Sequence, residues 1–177
     1  TQIKTRLETR AAEDNIADDF SPAATVRASA PVTPPKINLP DLENRARKIS
    51  AVFKKYPEIL NSGVNISVTA TNRYFVSTEG TSVEHGKNLV TFAIQATTRA
   101  EDGMDLSRFE TFSSAALAGI PNDEELLKFA ETVAKDLIAL KNAPVAEPFD
   151  GPAILSGRAS GVFFHEIFGH RIEGHRQ

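Results

Sequence analysis

"GVNISVTATN", residues 63–72, alternates Val64, Ile66, Val68 and Ala70 with polar neighbours. A period of two is the pattern of a half-buried strand, one face on a core and the other in water. Apolar segments follow closely: "RYFVSTEG" at 73–80, "NLVTFAIQATTRA" at 88–100 and "DLSRFETFSSAAL" at 105–117. Between them, "EGTSVEHGKN" (79–88) reads as turn material or a short edge strand, and "AEDGMD" (100–105) as a turn. Such short spacings favour an antiparallel meander of about four strands, because parallel neighbours need long crossovers.

The period changes on both sides of this stretch. Upstream, Leu42, Ala46, Ile49, Phe53 and Tyr56 recur every three or four residues, so "DLENRARKISAVFKKYP" (41–57) reads as an amphipathic helix ended by Pro57. Downstream, "PNDEELLKFAETVAKDLIALKNAP" (121–144) is the clearest helix. Asn122 can cap it with Glu125 as reciprocal partner, and Leu126, Phe129, Val133, Leu137 and Leu140 form one stripe. The expected class is therefore α+β: residues 37–143 fold as an antiparallel sheet with both helices packed on one face. Residues 1–36 read as a polar arm or linker, its first twenty compatible with one polar helix and "SPAATVRASAPVTPPK" extended. Past Pro144, "VAEPFDGP" leads to "AILSG" and a last helix from about Arg158.

Composition narrows the function. The 177 residues are about two-fifths apolar, enough for a real core, and carry a formal charge of −3. A mildly acidic chain argues against a nucleic-acid-binding surface. No apolar run approaches a membrane span, and the opening residues do not read as a signal peptide. There is no cysteine, hence no disulfide and no cysteine ligand or nucleophile within these residues, which is compatible with the cytoplasm. The chain begins with Thr1, which suggests a piece of a longer polypeptide.

The chemistry concentrates at the end. "FFHEIFGHRIEGHRQ" (163–177) holds three of the four histidines, His165, His170 and His175, with Glu166 directly after the first. H-E-x-x-H binds zinc because residues i and i+4 share a helix face. Here the histidines stand at i and i+5, roughly 140° apart on a regular helix, so both cannot face one ion. A π-bulge would realign them, or the helix could end near Gly169 and the second histidine swing back from a loop. "SGVFF" before His165 suggests a buried helix, with Phe163, Phe164 and Phe168 as core. Glu173, three residues after His170, could orient an imidazole or be a plain surface charge. His175 reads as solvated, and His85 in "VEHGKN" as a turn residue.

The run "GPAILSGRASGVFFHEIFGHRIEGHRQ" closely resembles the motif region of the TldD/PmbA family, metalloproteases also labelled modulators of DNA gyrase. The resemblance extends through "STEGTSV", "DGMDLSRFETF" and "KNAP", covering roughly residues 40–177. It implies that His165 and His170 are zinc ligands and Glu166 the general base. It further implies a cysteine far downstream as third ligand, so that residues 144–177 open a truncated C-terminal catalytic domain. The implied substrate is an unfolded or short peptide, cleaved inside a homodimer or a heterodimer with a family paralogue, without direct DNA contact. A competing reading is a catalytically silent peptide-binding or assembly subunit of the same family, using an exposed sheet edge.

Overall fold

The computed structural model describes residues 23–174. The chain divides into two compact units at the Asn142–Ala143 junction. The first is an α+β unit. Its elements are β1 (Arg27–Ala30), α1 (Leu39–Ser50) with a 3-10 turn (Ala51–Lys55), β2 (Asn61–Val76), β3 (Ser82–Arg99), β4 (Asp105–Ser114) and α2 (Asp123–Lys141).

Strand β3 organises the sheet. It pairs antiparallel with β2 from Asn61↔Thr97 to Val76↔Ser82, without a slip in register. On its other edge it pairs antiparallel with β4 between Val90 and Arg99, and parallel with β1 between Ser82 and His85. β1 and β4 thus lie end to end along one edge. The even-numbered face of β3 carries Val90, Phe92, Ile94, Ala96 and Thr98, all buried, while the residues between them are not. Against these pack Ile49, Val52 and Phe53 from the first helical stretch and Leu126, Ala130, Val133, Ala134 and Leu137 from α2. Each fully buried large side chain here stabilises the fold by about 1.5–3 kcal/mol. The hydroxyl of Thr98, the one polar side chain among these, donates to the Glu58 carbonyl.

The expected helix signals operate as written. Asn122 Oδ1 accepts from the Glu125 amide at 3.0 Å, and Glu125 Oε2 accepts from the Asn122 amide at 2.9 Å. Leu126, Val133 and Leu137 are buried, whereas Phe129 lies at the margin and stacks on Phe112 at 4.7 Å between ring centroids. Arg45 and Lys48 of α1 both reach Asp123 at the start of α2, at 2.6 and 3.0 Å. These two cations, Lys48 first, hold the Asp123 carboxyl below the usual carboxylate range.

Three expectations need correction. The sheet has four strands, but not as a pure antiparallel meander. "GVNISVTATN" and "RYFV" form one continuous strand, and "SVEHGKN" opens the long central β3 rather than forming a turn or a short edge strand, so His85 is a strand residue opposite Arg73. The reason is mutual pairing: a long two-stranded ribbon satisfies its backbone groups even where both faces are wet. The fourth strand is β1, inside the segment read as arm or linker; the part of that segment before residue 23 lies outside the described residues.

The chain after β1 is fastened to the ribbon by asparagines. Asn72 receives the Val32 amide at 2.9 Å and donates to its carbonyl at 3.0 Å, and Asn88 donates to the Thr33 carbonyl at 3.2 Å. Gly86, opposite Asn72, makes this approach possible. A Cβ there would overlap the Val32 amide nitrogen and Asn72 Oδ1 and lie 2.8 Å from the Pro31 carbonyl carbon. Gly86→Ala should therefore cost about 1–3 kcal/mol by overpacking. Hydrogen exchange should show lost protection at residues 27–33 while the Phe92–Leu126 core keeps its own. Unchanged protection at 27–33 would refute this account of the seat. Among the described residues, no helix is long and apolar enough to cross a membrane.

Candidate metal centre

The second unit is built on α3 (Gly157–Ile167). Ser156 caps it, its hydroxyl accepting from the Ala159 amide at 3.3 Å. Sequence reading had no cap here, although a serine just before a helical run is the usual signal. The α-helix stops at Ile167. Phe168 turns out of it at φ −118°, ψ −54°, and Gly169–Arg171 continue as a 3-10 turn. Arg171 donates to the Phe168 carbonyl at 2.9 Å, and Ile172 to the Gly169 carbonyl at 3.3 Å. Of the two devices that could reconcile the i, i+5 spacing, the chain uses the second: it leaves the α-helix before His170. Gly169 does not adopt a left-handed conformation, since only Gly80 and Gly103 have positive φ among the described residues. What it offers is space, as a Cβ there would sit 3.8 Å from His165 Nδ1.

The break brings the side chains together. The rings of His165 and His170 are 4.5 Å apart between centroids and meet edge to face. One ligand atom from each of His165, Glu166 and His170 falls within 4.8 Å of the others. Glu166 Oε2 is 3.7 Å from His170 Nε2, and Oε1 is 4.0 Å from His165 Nε2. His170 Nδ1 lies 2.8 Å from Glu173 Oε1. With a proton on Nδ1 shared with that carboxylate, Nε2 keeps its lone pair for a metal. Two nitrogens on one tetrahedral zinc stand roughly 3.4 Å apart, so modest side-chain rotation closes this set on an ion. The residues present fit a divalent metal. His175 lies outside the described residues.

The expected burial of the motif helix does not hold. No residue of α3 is buried, and Phe163, Phe164 and Phe168 are 46%, 59% and 61% exposed. A unit of some thirty residues has too little chain of its own to cover a helix that is apolar on several sides.

An α+β unit followed by two imidazoles and a carboxylate on a broken helix end defines a candidate metallohydrolase. Residues 32–141 match the family model described as the PmbA/TldA metallopeptidase central domain. The match spans more than half of the chain, which belongs to the PmbA/TldA metallopeptidase family. It covers β2, β3, β4 and both helices of the first unit, but not β1; the His165–Glu166–His170 cluster follows it. No curated protein and no solved structure matches. Metallopeptidase membership implies a metal, and the cluster supplies donors for one.

Proposed function

We propose that this chain is part of a zinc-dependent metallopeptidase that hydrolyses unfolded or short peptides. The observation that carries the reading is the helix break, which gathers His165 and His170 around Glu166 across a spacing that a regular helix would splay. In this reading His165 and His170 are ligands, and the third is a cysteine outside these 177 residues, which contain none. A zinc ion held there supplies Lewis-acid polarisation of a water and of the scissile carbonyl. Glu166 takes the proton of the attacking water and returns it to the leaving amine. Glu173 fixes the ring of His170 through Nδ1 and so aims Nε2 as the ligand atom. The enzyme works in the cytoplasm as a dimer, with a second copy or a paralogous subunit enclosing the peptide. The acidic charge accords with a peptide rather than nucleic acid as substrate.

Zinc titration of the 177-residue chain, followed on the imidazole resonances, tests the centre. His165 and His170 should shift together and saturate at one equivalent, with weak affinity for want of a third protein ligand. Glu173→Ala should weaken that affinity by about 10–100-fold. A response from only one of the two imidazoles, or none, would dismiss the site. In the assembled enzyme, chelation should abolish peptide hydrolysis and zinc restore it.

A further inference from the structure

Beyond the helix layer, the β2–β3 ribbon presents an open face made of its odd-numbered residues. Three cross-strand pairs follow one another there: Thr69↔Leu89, Thr71↔Lys87 and Arg73↔His85. These six residues line a depression of about 370 Å³. Several cations of the unit are matched, Arg45 and Lys48 on Asp123, Lys55 on Glu131, Arg99 on Asp105 and Arg108 on Asp136, while others such as Lys54 and Lys128 stand singly on the helices. Arg73, Lys87 and His85 also have no ion pair or side-chain hydrogen bond among the described residues, but they are neighbours in one depression.

The neighbouring carboxylates are turned away or far off. Glu84 belongs to the opposite face, where it accepts from the Ser29 hydroxyl at 2.6 Å and, beside Tyr74, raises the pKa of that phenol. Along the odd face of the three long strands the sole carboxylate is Asp105, at the far end and bound to Arg99 at 2.8 Å. Arg73 lies opposite His85 and Lys87 opposite Thr71, so the two cations are diagonal neighbours, and like charges held close together repel. A chain of formal charge −3 that gathers Arg73 and Lys87 beside a histidine, with no carboxylate among them, has left a place for an outside anion.

The geometry points to a binding site for a phosphate group on this face. The guanidinium of Arg73 offers a planar fork of donors, the ammonium of Lys87 a point charge, and Thr69 and Thr71 hydroxyl donors. Together they suit the several oxygens of a phosphate better than the two of a carboxylate. The depression is larger than one phosphate and has an apolar wall at Leu89, which leaves room for an attached group. The ligand class is therefore a small phosphate monoester or free phosphate. The site lies wholly within the first unit and does not depend on the metallopeptidase reading.

The test is an amide NMR titration of the 177-residue chain at constant ionic strength, with chloride as the control ion. Inorganic phosphate and a nucleoside monophosphate should each give saturable shifts confined to residues 69–73 and 85–89. The double variant Arg73→Gln, Lys87→Gln should weaken both by about tenfold or more, with the remaining spectrum unchanged. Tighter binding of the monophosphate would identify a phosphorylated small molecule as ligand, and equal binding free phosphate. Shifts that chloride reproduces, that do not saturate, or that survive the double substitution would overturn the proposal. So would saturation by a glutamate-rich peptide but not by phosphate.

Discussion

Glu166→Gln is expected to leave zinc uptake intact and to lower peptide hydrolysis by about 10²–10⁴-fold. The amide has the shape of the carboxylate, so the helix end and both imidazoles keep their places. What disappears is the ability to accept a proton from the attacking water. In the proposed reaction Glu166 is that acceptor; its two oxygens lie 3.7 Å from His170 Nε2 and 4.0 Å from His165 Nε2. The same proximity raises a second role for it, as a metal ligand. Measuring zinc affinity beside kcat separates the two. Lost activity with unchanged affinity assigns it as the base. A fall in affinity parallel to that in activity would make it a ligand instead, and full activity would remove it from the chemistry altogether.

The part of the fold read correctly from sequence is the part where local pattern and tertiary burial agree. Val64, Ile66 and Val68 alternate because helices cover one face there, and Leu126, Val133 and Leu137 recur because α2 lies on that face. Asn122 and Glu125 announce their capping box in the letters themselves. What sequence could not give was structure held by distant pairing. Arg73–Val76 and Ser82–Lys87 have no single buried face, so their period carries no signal; only their unbroken register with each other makes them strand. β1 is four exposed residues whose strand character comes from β3, some fifty-five positions away. In the candidate centre, the spacing of His165 and His170 required a departure from the α-helix but left open which kind. The choice fell on Phe168, a residue with no propensity to mark it. The phenylalanines misled because apolarity says that a side chain wants cover, not that its own unit provides it.

Gly169→Val should abolish both the joint zinc response of His165 and His170 and peptide hydrolysis, whereas Gly169→Ala should leave both near their original level. The distinction rests on space. A Cβ at this position meets His165 Nδ1 at 3.8 Å and the Phe164 carbonyl oxygen at 4.0 Å, ordinary van der Waals contacts, and the backbone is not left-handed. Alanine therefore fits, and any gain in helix propensity is under about 1 kcal/mol. Valine adds two methyl groups at the next bond, in the narrow rotamer range of a β-branched residue. Relieving that crowding must move either the His165 ring or the 3-10 turn that carries His170. If the turn reverted to α-helix, the second imidazole would swing to roughly 140° from the first, and no single ion could hold both. An unimpaired valine variant would show that the break tolerates bulk and that convergence does not depend on this gap. Alanine as damaging as valine would show that the freedom of the glycine backbone, rather than the room beside His165, is what the turn requires.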